Sequence, residues 1–372
     1  MNQNFQSKNP DLKLSVNRAV NKTTNYDVVV IGSGPAGAAA AIASAQLGLQ
    51  VILLEAQAFP RSHPGETLHP GVEPLLQQMG VLNSVLSAGF LRHTGNWVQW
   101  EGDRQFMAFG EDESGAWQGF QAVRADFDAL LLTQAQALGV TVLHPCRALG
   151  LLTENNGRVV GVETTQGRLR SAAVIDAAGG NHWGARQLGL SIQYHAPRLT
   201  AYYGYVAGDC PARDGAPAIA ADEQGWTWTA KVRHQLYQWT RLSFVDQPSH
   251  HWLPPEFAEL TIRQPMRGAD VTWRRVSQPA GEGYFLVGDA AIVLDPTSSH
   301  GVLRALMSGM MAGNLIAQCL RNNCIEQQAI QHYCEWITQW FQHDLYKLRQ
   351  LYRMLPNPPE WLDRYTLAID DS

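Results

Sequence analysis

The chain changes its hydrophobic rhythm several times, and each rhythm predicts a different kind of element. Near the start, Val28 to Ile31 and Val51 to Leu54 are short unbroken apolar runs, the pattern of parallel strands buried on both faces. An alanine-rich stretch of high helix propensity lies between them, so residues 26–55 read as a strand–helix–strand unit. A proline- and glycine-rich loop follows from Phe59 to Gly71, then a helix from about Val72 to Met79 closed by Gly80. In residues 96–109, two aromatic-rich runs flank Glu101-Gly102-Asp103-Arg104, a hairpin pattern. Val123 to Asp128 opens a helix with Phe127, Leu130, Leu131, Ala135 and Leu138 at helical spacing. Strands restart at Gly139–Val142, Val159–Val162 and Ala173–Asp176.

From about residue 191 to 279 strict alternation takes over, at Tyr202–Val206, Trp226–Val232, Tyr237–Phe244 and Val271–Val276. This predicts an antiparallel sheet inserted between the α/β pieces and joined in space by the 96–109 hairpin. The α/β character returns at Tyr284–Val287, which runs into Gly288-Asp289-Ala290-Ala291. Tyr333, Trp336, Trp340, Leu345, Leu348, Leu351 and Leu355 then recur at helical intervals. The predicted fold class is α/β: a Rossmann-like βαβ domain, an inserted mostly antiparallel β-sheet domain, and a C-terminal helical segment. In residue numbers, 1–25 are a peripheral lead-in; 26–85, 118–190 and 280–325 form the first domain. Residues 86–117 and 191–279 form the second, and 326–372 the terminal helices.

Composition narrows the function classes. A chain of 372 residues with 45% hydrophobic and 16% charged residues is globular and long enough for two domains. Its formal charge of −5 gives no reason to expect nucleic acid or an acidic membrane surface. The five cysteines are odd in number and form no CxxC pair, which argues against a disulfide framework or a metal site. Residues 1–25 lack the apolar core of a signal peptide, and no apolar run reaches the ~18 residues of a membrane helix, so a cytoplasmic location is expected. The twelve tryptophans suit core and sheet packing, with a few available to line an aromatic pocket.

The first βαβ unit carries Gly32-Ser33-Gly34-Pro35-Ala36-Gly37 between strand and helix, with Glu55 closing the second strand. This is the dinucleotide fingerprint, and each part has a physical role. Gly32 permits the tight turn, Gly34 a close backbone approach to a pyrophosphate, and Gly37 close helix–strand packing. Ala36 and its neighbours at the helix start present unpaired N–H groups to phosphate, and Glu55 can accept from a ribose hydroxyl. By itself the unit leaves FAD and NAD level.

Three pieces taken together resemble one family. They are the GxGxxG unit, Arg124 at the head of VRADFDALLL, and GDAAIVLDPTSSHG from Gly288 to Gly301. Their order is similar to that of the FAD-dependent aromatic hydroxylases of the p-hydroxybenzoate hydroxylase type, and of the flavin-dependent halogenases built on the same fold. The resemblance implies FAD as cofactor, Asp289 on its ribityl chain, and the Pro296 to Gly301 loop presenting N–H groups near the flavin ring. It implies Arg124 on the phosphate or adenosine side, with a surface helix-cap cation as the alternative. The loop FPRSHPGETLHP is similar to the halogenase pattern FPR-x-H-x-GES-x-LP, which implies Arg61 along the FAD and Glu66 near the active face.

Several departures from that pattern shape the expected chemistry. His93 stands where the halogenase segment resembling GF-x-x-K-x-G has its lysine, and Trp226-Thr227-Trp228-Thr229-Ala230-Lys231 carries only half of W-x-W-x-I-P. The segment Asp176-Ala177-Ala178-Gly179-Gly180 alters the hydroxylases' DG motif, so NAD(P)H and a separate reductase both stay open as electron donor. The combination is similar to the flavoproteins LodB, GoxB and QhpG. That resemblance implies a monooxygenase that uses O2 to hydroxylate a Trp side chain of a precursor protein, on the way to the tryptophylquinone of a quinone-cofactor amine or amino-acid oxidase. His93 is the first candidate base, with a packing histidine as the alternative. His300 and Glu66 come second, Glu66 also suiting a structural bond to loop backbone. Lys231 could steer oxygen chemistry or be a solvated strand-face lysine. Two other classes remain: a halogenase, hydroxylase or reductase of a small or lipid molecule, and a flavin-containing maturation chaperone without turnover.

Overall fold

The computed structural model describes residues 25–365 except 60, 62, 66, 246 and 322. Almost all of the lead-in therefore lies outside the described residues, and so does Glu66. The apolar runs form one parallel sheet, in the order Thr141–Leu143, Val51–Leu54, Tyr26–Ile31, Gly167–Asp176, with Tyr284–Leu286 pairing on the far side of the last. Ala173–Asp176 is longer than its apolar run suggests. Its polar first half, from Gly167, pairs antiparallel with Val159–Thr164.

The helix Pro35–Gln46 is buried from Pro35 to Ser44, and its alanines explain how. The helix Gly301–Leu320 lies so close that a Cβ on Gly309 falls well inside contact distance of the Ala36 carbonyl, and one on Gly313 lies 2.9 Å from the Ala40 carbonyl. Small residues on both helices permit this approach, and the contact carries both chain starts into one wall. Ser308 of the second helix accepts a hydrogen bond from the Gly288 N–H at 2.9 Å, which ties the Gly288–Ala290 turn to the same wall.

The inserted sheet has seven strands in the order Thr261–Asp270, Thr200–Ala207, Leu236–Ser243, Gly225–Arg233, Ala218–Asp222, Gly95–Gln99, Gln105–Ala108. The 96–109 hairpin joins it through a parallel pairing of Gly95–Gln99 with Ala218–Asp222, as expected. Two expectations need correction. Thr261–Asp270 is an exposed edge strand that apolar alternation cannot reveal, with Pro265 tolerated at the edge. The predicted strand Val271–Val276 shrinks to Arg274–Val276 and pairs with Ile192–Tyr194 and Ile292–Val293 in a separate sheet. The helix Glu326–Arg353 buries Tyr333, Ile337, Phe341, Leu345, Leu348 and Tyr352 along one face.

Candidate functional site

At one end of the cleft the GxGxxG turn behaves as its spacing demands. Gly32 has φ of 95°, in the left-handed region, and a Cβ there would lie 2.5 Å from the Ala177 carbonyl. A Cβ on Gly37 would collide with the Gly32 carbonyl. Gly34 precedes Pro35 at the helix start, and a Cβ there would meet only the Arg61 guanidinium, at 3.4 Å. The first-turn N–H groups of this helix have no intrahelical partner, so the turn offers donors toward Arg61. A Cβ on Gly288 would touch Ala36 at 2.8 Å, joining this turn to the later Gly-Asp turn.

Glu55 is buried and accepts from Ser33 N at 3.2 Å, Ser33 Oγ at 2.6 Å and Gln57 N at 2.9 Å. Burial works to raise its pKa, but Arg61 and these donors outweigh it and hold the carboxyl below its ordinary value. Arg61 lies 3.5 Å from Glu55 and 3.6 Å from Asp128, and contacts the His63 ring through Nη1. Its buried Nε has no hydrogen-bond partner among the described residues. That Nε is the atom facing Glu55 at 3.5 Å; the guanidinium, beside glycine backbone that admits close approach, fits the anionic half of a dinucleotide.

Arg124 is engaged by protein. Its guanidinium forks onto Asp128, with Nε at 2.9 Å and Nη2 at 3.1 Å, and Nη1 donates to the Pro64 carbonyl at 3.1 Å. Asp128 is completely buried, so the pair pins the 61–65 loop to the helix Arg124–Ala137. The surface-cap alternative for Arg124 is thereby corrected: this is an interior ion pair.

At the other end, Asp289 projects into a groove whose walls include Gly288, Gly301, Arg304, Trp336 and Trp340. It is reachable by solvent, with Arg304, Arg124 and Arg274 as the cations whose charge acts on it. Two of the twelve tryptophans thus line a groove. Pro296–Ser298 forms one tight helical turn, with Asp295 accepting from Thr297 N at 3.0 Å. Ser299 has φ of 52°, and His300 immediately precedes the helix that begins at Gly301. A Cβ on Gly301 would meet nothing within 4 Å, so the helix start faces open space.

Of the four expected catalytic residues the structure describes three, His93, His300 and Lys231. His93 is buried, with Nδ1 3.1 Å from the Gly95 carbonyl and Nε2 3.2 Å from the Gln121 amide nitrogen. Thr67 Oγ1 donates to Gln121 Oε1, which fixes the amide so that Gln121 donates to His93. Both ring nitrogens are therefore used, and burial lowers the imidazole's pKa. The geometry favours the packing alternative for His93 over its role as first candidate base. Lys231 donates to Asp214 at 2.8 Å on the inserted sheet. It is occupied, not a loose strand-face lysine. Glu66 lies outside the described residues.

His300 acquires neighbours that the sequence did not suggest. Its buried Nδ1 has no hydrogen-bond partner among the described residues and stands 3.9 Å from Asp344 Oδ1, too far for a hydrogen bond but within reach of the charge. Arg304 donates to the other Asp344 oxygen at 2.7 Å. Burial works to raise the Asp344 carboxyl, but His300 and Arg304 hold it below its ordinary value. His69 meets His300 edge to face, with ring centroids 5.1 Å apart. Gly71 N–H donates to His69 Nδ1 at 3.0 Å, so the neutral ring carries its proton on Nε2. Burial, then the proximity of His300, push His69 down to about 4. Phe109 of the hairpin region stacks on both His69 and His93. Sequence reasoning missed His69, although it stands at the leucine of the GES-x-LP pattern.

Comparisons with known proteins agree with this geometry. The family described as FAD binding domain matches residues 25–333. Flavin-dependent halogenase armH3 of Armillaria mellea is 27% identical, covering 88% of this chain and 74% of its own length. The tryptophan 2-halogenase of Chondromyces crocatus is 28% identical, covering 77% of this chain and 60% of its own. Among solved structures, the myxobacterial chondrochloren halogenase CndH superposes with a TM-score of 0.83 at 25% identity, over 91% of this chain and 85% of that one. These relatives are named halogenases, and none of the three is named for quinone-cofactor biogenesis. The paired glycine turns and the match across residues 25–333 make this chain a member of the FAD-binding-domain family, an FAD-dependent oxidoreductase of the halogenase and monooxygenase type.

Proposed function

We propose that this protein uses FAD and O2 to functionalise an electron-rich aromatic ring of the indole kind, and that the ring receives oxygen rather than halogen. The observation that carries this is the lysine inventory. Among the described residues only Lys231 and Lys347 occur; the first is ion-paired with Asp214 and the second is exposed on the helix Glu326–Arg353. Where the halogenase pattern has its lysine, this chain has the neutral, fully bonded His93. When bound, FAD supplies the activation of O2 and the transfer of oxygen.

The chain's own residues hold, orient and move protons. Gly32, Gly34, Ala36, Gly37, Glu55 and Arg61 are assigned to the adenosine and phosphate side. Asp289, Pro296 and Gly301 are assigned to the flavin side, and Arg124 supports the 61–65 loop through Asp128. His300, with the Asp344 carboxylate behind it, is the candidate acceptor for the ring proton that leaves as oxygen enters. His69 beside it is a neutral donor.

Halogenation is the second reading, favoured by the names of the relatives. Those names also weigh toward a small aromatic molecule over a precursor tryptophan. The reading on a precursor of a quinone-cofactor oxidase rests on sequence resemblance alone, and it shares the ring class with the tryptophan 2-halogenase. The test is to supply FAD, an NADH-driven flavin reductase, and tryptophan or indole, with and without bromide. A hydroxylated product of the same mass under both conditions supports oxygen insertion. A brominated product that appears only with bromide replaces it with the second reading.

A further inference from the structure

The 296–301 loop is held from behind by a carboxylate that no motif singles out. Asp295 is 1% exposed. Its Oδ1 accepts from Thr297 N at 3.0 Å and from Thr297 Oγ1, and its Oδ2 accepts from Trp273 Nε1 at 2.6 Å and Tyr352 OH at 2.7 Å. Trp226 Nε1 in turn donates to Tyr352 OH at 2.9 Å. The rings are packed as well as bonded: Trp273 and Tyr352 lie 5.3 Å apart, and Trp361 stands 5.2 Å from Trp273. One carboxylate therefore gathers four distant parts of the chain. They are the flavin-side loop, the inserted sheet through Trp226, the 271–276 segment through Trp273, and the C-terminal helix through Tyr352.

Among the described residues Asp295 has no ion-pair partner, and burial pushes its pKa up against the pull of its donors. A buried carboxylate without a cation adds little net stability, since an apolar cluster could fill the same volume without the desolvation cost. What this carboxylate does contribute is direction. It captures the Thr297 N–H and so sets the tight turn that leads into His300 and Gly301. The tryptophan of the half-present W-x-W-x-I-P signature is spent on this arrangement: Trp226 is 1% exposed, with its N–H on Tyr352.

We propose that Trp226, Trp273 and Tyr352 are positioning residues for the cofactor, acting through Asp295 on the 296–301 loop. The flavin end of the cleft is thereby coupled to the seating of the helix Glu326–Arg353 on the inserted sheet. This rests on the reading that the loop faces the flavin, and the experiment separates the two. FAD affinity and the visible absorption and circular dichroism of bound FAD are measured for Asp295→Asn, Tyr352→Phe, Trp226→Phe and the double variant Asp295→Asn/Tyr352→Phe, along with melting of each apoprotein. Tyr352→Phe keeps its ring and removes a hydroxyl that donates to Asp295 and accepts from Trp226, while Trp226→Phe removes the N–H and shrinks a buried ring, which apoprotein melting reads separately.

The expected result is a weakening of FAD binding of about tenfold for Tyr352→Phe. Asp295→Asn should have a larger effect and Trp226→Phe a smaller one, each with an altered flavin spectrum. The double variant should be no worse than Asp295→Asn alone. A Tyr352→Phe protein that melts lower yet binds FAD with native affinity and spectrum would reduce the network to packing and overturn the proposal. Additive losses in the double variant would overturn the route through Asp295. A native spectrum in Asp295→Asn would overturn the placement of the loop at the flavin, and the proposal with it.

Discussion

Replacing Arg124 by methionine separates a structural role from a cofactor role at a residue that sequence resemblance assigns to FAD. The change keeps an unbranched apolar stem and removes the guanidinium with its charge. Asp128 is completely buried, and Arg124 supplies its two close donors, at 2.9 and 3.1 Å. After the change, the ion pair left to Asp128 among the described residues is Arg61, at 3.6 Å, and the Pro64 carbonyl loses the Arg124 donor. Removing one partner of a buried pair costs about 3–5 kcal/mol. The remaining arginine offsets part of that, so a loss of about 3 kcal/mol is expected for the apoprotein. Urea unfolding of the apoprotein reads it directly, with FAD affinity measured in parallel. Replacing Asp128 by leucine in the same protein should recover most of the loss, because no unpaired charge is then left inside. An Arg124→Met apoprotein with an unchanged urea midpoint and a collapse in FAD affinity would refute this reasoning, and would return Arg124 to the cofactor.

Other expectations follow from the same geometry. Burial holds His63, His69 and His195 at about 4 in the fold, below their unfolded value. Their contribution is complete above about pH 6.5 and is lost as pH falls toward 4, by about 1 kcal/mol each once solvent screening of these half-exposed rings is allowed for. Asp176, raised to about 6, has the opposite sign: it destabilises the fold at neutral pH, and that penalty is relieved on acidification. The three histidines outweigh it, so urea midpoints should fall from pH 7 to pH 5. The His195→Phe protein should show a shallower slope, and parallel slopes would contradict the assignment. Gly309→Ala should lower stability by about 1–3 kcal/mol through overpacking against Ala36. Gly301→Ala should leave urea stability unchanged and weaken FAD binding by filling the helix start. His93→Ala should destabilise by about 1–3 kcal/mol, since the Gln121 amide loses its acceptor, with turnover per bound FAD preserved. His300→Gln should slow turnover by about 10²–10⁴-fold at full FAD occupancy; equal turnover would remove it from proton transfer.

The parts of the fold that the sequence makes legible are those set by short-range rules. A glycine turn between an apolar run and an alanine-rich helix needs only its own residues to declare itself, and Gly32 and Gly37 behave accordingly. The hairpin around Glu101 to Arg104 and the long tail helix are legible for the same reason. What stayed hidden depends on partners far away in the chain. Motif position put His93 where a lysine belongs, but its chemistry is decided by Gln121 and Gly95, which close both ring nitrogens. His69 and His300 meet across more than two hundred residues of chain, and Asp295 collects donors from Trp273 and Tyr352. The Arg124–Asp128 pair at i, i+4 was visible in the sequence, yet spacing does not say that its carboxylate is buried. The edge strand Thr261–Asp270 faces solvent and carries no apolar rhythm to read.

The central claim is that this FAD enzyme places an oxygen atom from O2 on an aromatic ring without a halogenating lysine. The most direct measurement is mass spectrometry of the product formed by the FAD-loaded protein from indole or tryptophan, under ¹⁸O-labelled O2 with bromide present and a flavin reductase supplying electrons. The expected product carries one labelled oxygen and no bromine. A product with the bromine isotope doublet, or an oxygenated product that takes its oxygen from water, would contradict the claim.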